Sequence, residues 1–413
     1  MANEAARNRL RFFFLNIGHF LDHLFTLIFA TVAALALVRE WGLSYAELVP
    51  YATPGFIAFG LFSLPAGWLA DRWSRHGMMV VFFIGIGLAS IATGFAQSPF
   101  QIGVMLLVVG VLAAIYHPVG LAMVVDNAKA SGTGMAIAIN GVWGNLGVGS
   151  AALLTGFFID NGGWRTAFIV PGVLSVLLGL GYWWLVRDEL GQKPKPKAAA
   201  QAVGTSAAST AHARSALIRL TAIIFFTAAV SSLVFQSTTF ALPKVFEERL
   251  GGIAGSATLV GWMAFLVFAI ASLAQLVVGS LLDKYGPRTV FLCAALVQVV
   301  FFSLMPGLTD WAALAIALGF MLGAFGQIPI NDYMIGKMAR SELRASIYGG
   351  RYVVSFLVLG AAIPFIAWIH GHYGFDTLFR VLSGAAAVIL VAVALLPRKL
   401  PEPDAPVAVA KAA

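Results

Sequence analysis

Long apolar runs separated by short polar turns fill the chain, and their length sets its class. A helix needs ~20 apolar residues to cross a hydrocarbon core. Lipid satisfies no backbone polar group, so only helices or closed barrels can cross it. The runs are continuous rather than alternating, which predicts helices and not barrel strands. Twelve are read, at 12–38, 47–69, 78–96, 100–124, 134–158, 166–186, 217–241, 256–282, 289–306, 311–335, 345–369 and 377–396. The first run is too long and too rich in polar groups for a cleavable signal peptide.

Composition agrees with this picture. Of 413 residues, 60% are hydrophobic and only 11% charged, and the mean hydropathy is +0.89. A soluble domain is about a quarter charged, so lipid must cover much of this surface. The single cysteine, Cys293, excludes a disulfide framework and a thiolate metal cluster. A net charge of +8 would suit a nucleic-acid binder, but its placement does not. With the N-terminus cytoplasmic, twenty Lys and Arg residues fall in cytoplasmic segments and five (Arg39, Arg165, Lys244, Arg249 and Arg380) fall outside. The positive-inside rule then places both termini in the cytoplasm, in a multi-pass inner (plasma) membrane protein, with no nucleic acid needed.

The chain also repeats itself. Residues 67–76 read GWLADRWSRH and 279–288 read GSLLDKYGPR; 163–168 read GWRTAF and 374–379 read GFDTLF; Pro118 matches Pro329. The offsets are 211 or 212 residues throughout. An all-α membrane protein of two pseudo-symmetric six-helix bundles follows. Its expected parts are a first bundle at 1–186, a cytoplasmic linker at 187–216 rich in Ala, Lys, Pro and Ser, a second bundle at 217–396 and a tail at 397–413. Paired halves with a site between them near the midplane are the architecture of alternating-access carriers.

Gly67, Asp71, Arg72 and Arg75 resemble the loop signature of the major facilitator superfamily, echoed by Gly279, Asp283, Lys284, Gly286 and Arg288. Ser74 stands where that signature has glycine and His76 where it has a second base. The resemblance covers nearly the whole chain. It implies a major facilitator fold, and an aspartate with following bases that locks the halves together at the cytoplasmic side. More finely, Gly18-His19-Phe20 with Asp22, and Tyr116-His117-Pro118, look like the fosmidomycin-resistance branch, which implies proton-coupled export of small toxic compounds. The fourth helix carries His117 in place of an Arg-rich exporter motif. The fifth has Gly141, Gly144, Gly147 and Gly149 without an adjoining proline.

Charged groups inside a span cost ~2.5–3.5 kcal/mol on insertion scales and are functional candidates by default. Helix one is the richest case. Asn16, His19, Asp22, His23 and Thr26 fall within an arc of about 120°, while Phe20, Leu24 and Leu27 lie outside it. That stripe must face protein or a water-filled cavity. Histidine titrates near pH ~6.5, and His19 and Asp22 sit on adjacent turns, a pattern suited to proton coupling. A polar clamp between helices would use the same residues. His117, beside the helix-straining Pro118, can join the cluster or satisfy the kink.

In the second half, Gln236, Gln327, Asn331, Asp332 and Arg351 are the polar groups of interest. Arg351 corresponds to Asn140 by the repeat offset and suits either an anion site or a pair with Asp332. Gln275 can bond a substrate or a neighbouring helix. His19, His23 and His117 could hold a metal ion transiently. Met334 and Met338 lie too deep towards the cytoplasm to join them, and methionine at helical spacing is more often packing. No resident metal or cofactor is expected, and no glutamate is read within a span. With no nucleophile–base pair and no phosphate loop, an enzyme is not expected. The expected function is secondary active transport of a small molecule, as a monomer. Proton-coupled efflux of a drug or toxic metabolite leads. Import of a small organic anion or metal chelate is the alternative.

Overall fold

The computed structural model describes residues 2–127, 133–190, 211–338 and 344–396, with side chains described for 4–127, 135–190, 222–334 and 353–396. Among these residues there is no β-strand. The helices are α1 (Glu4–Glu40), α2 (Tyr45–Arg72), α3 (Arg75–Gly94), α4 (Pro99–Asn127), α5 (Thr133–Gly162), α6 (Trp164–Val186), α7 (Ala211–Arg249), α8 (Ala257–Tyr285), α9 (Pro287–Leu304), α10 (Asp310–Met338), α11 (344–373) and α12 (375–394).

Among the described residues, ten apolar stretches are long enough to span a bilayer, and two of them, Ala257–Leu304 and Val353–Ala394, each hold a hinged pair, which makes twelve spans. The hinges are Gly286 (φ 77°) and Gly374 (φ 72°), backbone conformations that a Cβ would strain. Gly163 (φ 80°) matches Gly374 at the repeat offset, so the same turn opens α6 and α12. The other internal signature differs between the halves. Ser74, at φ −166°, enters α3 as an N-cap whose Oγ accepts from the Gly77 amide at 3.1 Å. That explains why serine can stand where Gly286 stands in the second half.

Past Leu10 and Phe13, which are exposed, α1 runs through the interior of the molecule. Leu15, Leu21, Leu24, Phe25, Ile28 and Phe29 are buried, as are Asn16 and Asp22 of its polar stripe, while His19 and His23 are half-buried. The bilayer-facing surface is carried by residues such as Leu61, Leu64, Leu177, Leu276 and Val391. Exposed Trp68, Trp184, Trp311 and Trp368 lie near helix ends, as in an interfacial aromatic belt.

Several boundaries need correction. The helices run longer than the apolar cores alone predict. Glu40, Glu247 and Glu248 therefore sit in the end turns of α1 and α7, beyond the spans read for them, and Glu47, the first residue of the span at 47–69, sits in the first turn of α2 and corrects the expectation of no glutamate within a span. Asp71 lies in the last turn of α2 and not beyond it. α7 begins at Ala211, inside the expected linker, and 187–189 continue α6 as a 3₁₀ turn. The rest of the linker and the tail lie outside the described residues.

Among the described residues, the seam between the bundles is made mainly by two equivalent pairs, α2 against α11 and α5 against α8, with α1 also meeting α7. Small residues let these backbones approach. A Cβ on Gly261 would lie 2.5 Å from the Ala152 carbonyl oxygen, and one on Gly156 would overlap that of Ala257. At the same end, Asp160 of α5 caps α8 across the seam. Its Oδ2 accepts from the Thr258 amide (2.7 Å) and hydroxyl (2.6 Å), and its Oδ1 accepts from the Ala257 amide (3.3 Å). Salt bridges ring this end. Arg165–Glu40 (2.9 Å) ties α6 to α1, Arg249–Asp376 (2.5 Å) ties α12 to α7 with the signs exchanged, and Arg39–Glu247 (3.6 Å) crosses between bundles.

Candidate functional site

The polar stripe of α1 meets α4 and α5 inside the first bundle. Pro118 lacks an N–H and cannot complete the α-helical ladder of α4. The strain is relieved by a π-helical turn, Tyr116–Gly120. The wider turn sets Tyr116 and His117 side by side against α1. Tyr116 fits a slot between two glycines: a Cβ on Gly18 would lie 2.8 Å from its Cε2, and one on Gly120 2.7 Å.

Asn140 of α5 organises the inner end. Its amide nitrogen donates to Asn16 Oδ1 (3.0 Å) and to the Tyr116 hydroxyl (2.9 Å), and Tyr116 donates onward to the Leu15 carbonyl (2.7 Å). Its backbone carbonyl accepts from His19 Nδ1 at 2.7 Å. A carbonyl only accepts, so Nδ1 carries the proton and neutral His19 presents a lone pair at Nε2. The His19 ring stacks on Tyr116, with centroids 5.0 Å apart and planes at 18°. Gly144 is the opposite wall: a Cβ there would lie 2.6 Å from His19 Cε1 and Nε2.

His19, His23 and His117 close into a triangle, with centroids 5.0, 5.4 and 5.5 Å apart. One ring nitrogen from each lies within 4.8 Å of the others. Asp22 is fully buried, with Oδ2 3.4 Å from His117 Nε2. Neither Asp22 oxygen meets hydrogen-bond geometry among the described residues. A buried carboxylate with one nearby imidazole is costly unless a proton is shared between them. The arrangement can therefore take up and release protons. Thr26 is not part of it, since its hydroxyl bonds back to the carbonyls of Asp22 and His23 on its own helix (3.0 and 3.1 Å).

The structure thus brings Asn16, His19, Asp22, His23 and His117 together. Among the described residues, the second-half groups Gln236, Gln327 and Asn331 stand apart from them. Gln327 and Asn331 are buried neighbours on α10, linked by Asn331 Nδ2 donating to the Gln327 carbonyl (3.2 Å), with Gln327 Nε2 and Asn331 Oδ1 unpaired among the described residues. Gln236 and Asp332 are half-buried. No described hydrogen bond or ion pair ties Gln236, Gln327 or Asn331 to the histidines. The Arg351 and Met338 side chains lie outside the described residues. Four participants escaped the sequence reading: Asn140, Tyr116, and the aromatic pair Phe59 and Phe356, whose centroids lie 5.7 and 5.6 Å from that of His117. Two of them carried a signal: Tyr116 stands beside His117 in its motif, and Asn140 is the repeat counterpart of Arg351.

The loop signature is also organised differently from expectation. Asp71 accepts from Arg75 (2.6 Å), and Arg75 also pairs with Asp126 at the end of α4. All three belong to the first bundle, so among the described residues they join α2, α3 and α4 rather than the two halves. Arg72 stacks over Trp68 at 4.4 Å. Gly67 packs on Pro118: a Cβ there would meet Pro118 Cβ at 3.3 Å. His76 bonds the Tyr182 hydroxyl (2.8 Å) and faces Glu189, which also accepts from Arg7 (2.9 Å) and Arg11. In the second half, Arg288 donates to the Ala394 carbonyl at the end of α12 (2.8 Å), Lys284 lies over Tyr285 (5.0 Å), Asp283 is exposed, and the Gly279 surface is open.

The sequence profile of the Major Facilitator Superfamily matches residues 15–252 and 224–412. The chain belongs to the Major Facilitator Superfamily. It is a multi-pass membrane transporter of small molecules, not an enzyme. It is 25% identical over 382 residues to a protein named Gallate transporter from Pseudomonas putida, covering 86% of this chain and 80% of that one. It is 23% identical over 327 residues to Multidrug resistance protein MdtG of Klebsiella pneumoniae (strain 342), covering 77% and 76%. Among solved structures, a peptide transporter POT mutant in complex with sulfate superposes with a TM-score of 0.73 at 16% identity, covering 93% of each chain. A D-xylose-proton symporter gives 0.68 at 14%, covering 92% of this chain and 95% of that one. At such identities these structures establish the shared fold alone.

Proposed function

We propose that this transporter is a proton-coupled secondary carrier, working as a monomer with both termini cytoplasmic. In this reading the Asp22–His117 pair with His19 and His23 is its proton-exchange site. The observation that carries the proposal is the fully buried Asp22 carboxylate, 3.4 Å from His117, whose ring lies against those of His19 and His23. A membrane potential acts on a moving proton with about 2.3 kcal/mol per 100 mV, enough to drive a solute against its gradient when the two movements are linked. Six-helix bundles at 1–186 and 217–396 are the moving bodies, and the linker at 187–216 joins them. In the orientation set by the basic residues, the Asp160 cap and its salt-bridge rim lie outside, so the described arrangement is closed to the exterior.

Efflux of a drug or toxic metabolite is supported by the relatives named MdtG and by the fosmidomycin-resistance-like motifs at Gly18–Asp22 and Tyr116–Pro118. Import of a small organic anion is supported by the relative named Gallate transporter. A divalent ion or its chelate as cargo would also suit three ring nitrogens within 4.8 Å. The test is growth inhibition and uptake across a panel of drugs, aromatic acids and divalent ions, in cells with and without the chain, at two external pH values. Accumulation driven by external acid identifies import, and protection against a drug identifies export. Substrate movement indifferent to pH in both assays would defeat proton coupling.

A further inference from the structure

We propose that Phe59 and Phe356 form the water barrier over the proton-exchange site, and that separation of α2 from α11 opens it. This rests on the proton-coupled reading. Phe59 belongs to α2 and Phe356 to α11, so the pair stands on the seam between the bundles. The two rings stack face to face, with centroids 3.9 Å apart and planes at 22°. Both also lie against the His117 ring, at 5.7 and 5.6 Å. The helices touch directly here: a Cβ on Gly60 would lie 3.1 Å from Phe356 Cβ, and one on Gly360 2.7 Å from Ile57 Cγ1.

The titratable groups facing His117 are Asp22, His19 and His23 from α1 and Tyr116 from its own turn. From α2 and α11, the contacts described are the two phenyl rings. One side of the imidazole is therefore polar, and the other is a lid built half from each bundle. With the lid shut, Asp22 is fully buried and Phe59 and Phe356 are 2% and 7% exposed. A ring stack adds little beyond its buried area, so it does not hold the bundles together. A rigid-body rotation of one bundle against the other must part it. Had both rings come from one bundle, they would move together and keep His117 covered in every state. Divided between bundles, they tie hydration of the proton site to the transport movement and keep it dry otherwise. Dryness matters because a proton path open to both sides would dissipate the gradient without moving solute.

The test uses the full chain in proteoliposomes holding a trapped pH dye under an imposed pH gradient, without any solute. Wild type should hold the gradient. Phe59→Ala, Phe356→Ala and the double variant should leak protons several-fold faster, and adding Asp22→Asn should suppress the leak. Phe56→Ala is the control. It removes the same side chain one turn away on α2, where Phe56 meets Phe240 at 6.0 Å rather than His117, and it should stay tight. A double variant that reconstitutes normally and holds the gradient as wild type does would overturn the proposal, as would a leak untouched by Asp22→Asn. If wild type shows no pH-driven solute movement, the coupling reading fails. A leak confined to the Phe59 and Phe356 variants and stopped by Asp22→Asn would still identify the barrier.

Discussion

Gly144 and Gly141 lie one turn apart on α5, and the structure assigns them opposite responses to alanine. A Cβ at Gly144 would sit 2.6 Å from His19 Cε1 and Nε2 and 2.9 Å from its Cδ2, so the whole edge of the ring is struck. The ring cannot slide away freely, because Tyr116 stacks on it and its Nδ1 donates to the Asn140 carbonyl at 2.7 Å. Overpacking costs about 1–3 kcal/mol, and losing the hydrogen bond about 0.5–1.5 kcal/mol. Against these, alanine gains about 0.8–1.0 kcal/mol over glycine within a helix. The balance for Gly144→Ala is a loss of roughly 0.5–3.7 kcal/mol. At Gly141 nothing lies within 4 Å of a Cβ, so Gly141→Ala keeps only the gain. The assay is thermal unfolding of the purified variants in one detergent, followed by the pH profile of transport. Gly141→Ala should melt at or above wild type with an unchanged profile. Gly144→Ala should melt lower with a displaced profile. Equal melting and equal profiles for the two would refute the placement of His19 against α5.

Three further perturbations have defined outcomes. Alanine at His19, Asp22 or His23 should abolish coupled transport while protein still reaches the membrane; unchanged pH dependence in all three would remove the cluster from the cycle. Asp160→Ala removes the acceptor of three bonds at the start of α8, and loss of such a cap costs about 0.5–2 kcal/mol. Labelling of cysteines placed along the outer ends of α5 and α8 should rise, and unchanged labelling would show that the cap holds nothing closed. Asp71→Asn frees Arg75 from one of its two carboxylates; turnover should slow with substrate binding nearly intact, and wild-type turnover would exclude Asp71 from the conformational cycle.

The polar rim that closes one end of the molecule shows where composition misleads. The five outer basic residues counted against topology are mostly partnered: Arg39, Arg165, Lys244 and Arg249 all pair with carboxylates at the helix ends. Those carboxylates went unnoticed because helices in a transporter extend past the apolar core. Hydropathy marks the lipid-immersed segment and not the end of the hydrogen-bonded helix. Gly156 and Gly261 were similarly silent, since nothing in a run of small residues tells which one meets a backbone from the other bundle.

What the sequence determined by itself is what depends on residues close together in the chain. Insertion into a bilayer sums the cost of consecutive side chains, so the twelve spans are legible, and a duplicated motif at a constant offset makes the two halves legible. The stripe of Asn16, His19, Asp22 and His23 is legible too, because helical periodicity is local. Only the tertiary structure decided which groups this stripe meets. Asn140 and Tyr116 fix His19, Asp22 reaches His117, and Phe59 and Phe356 cover that ring from opposite bundles. These contacts join α1, α2, α4, α5 and α11, residues more than a hundred positions apart in several cases. Their meeting depends on a π turn at Pro118 and on glycines that admit one helix against another, and both are properties of packing rather than of any one segment.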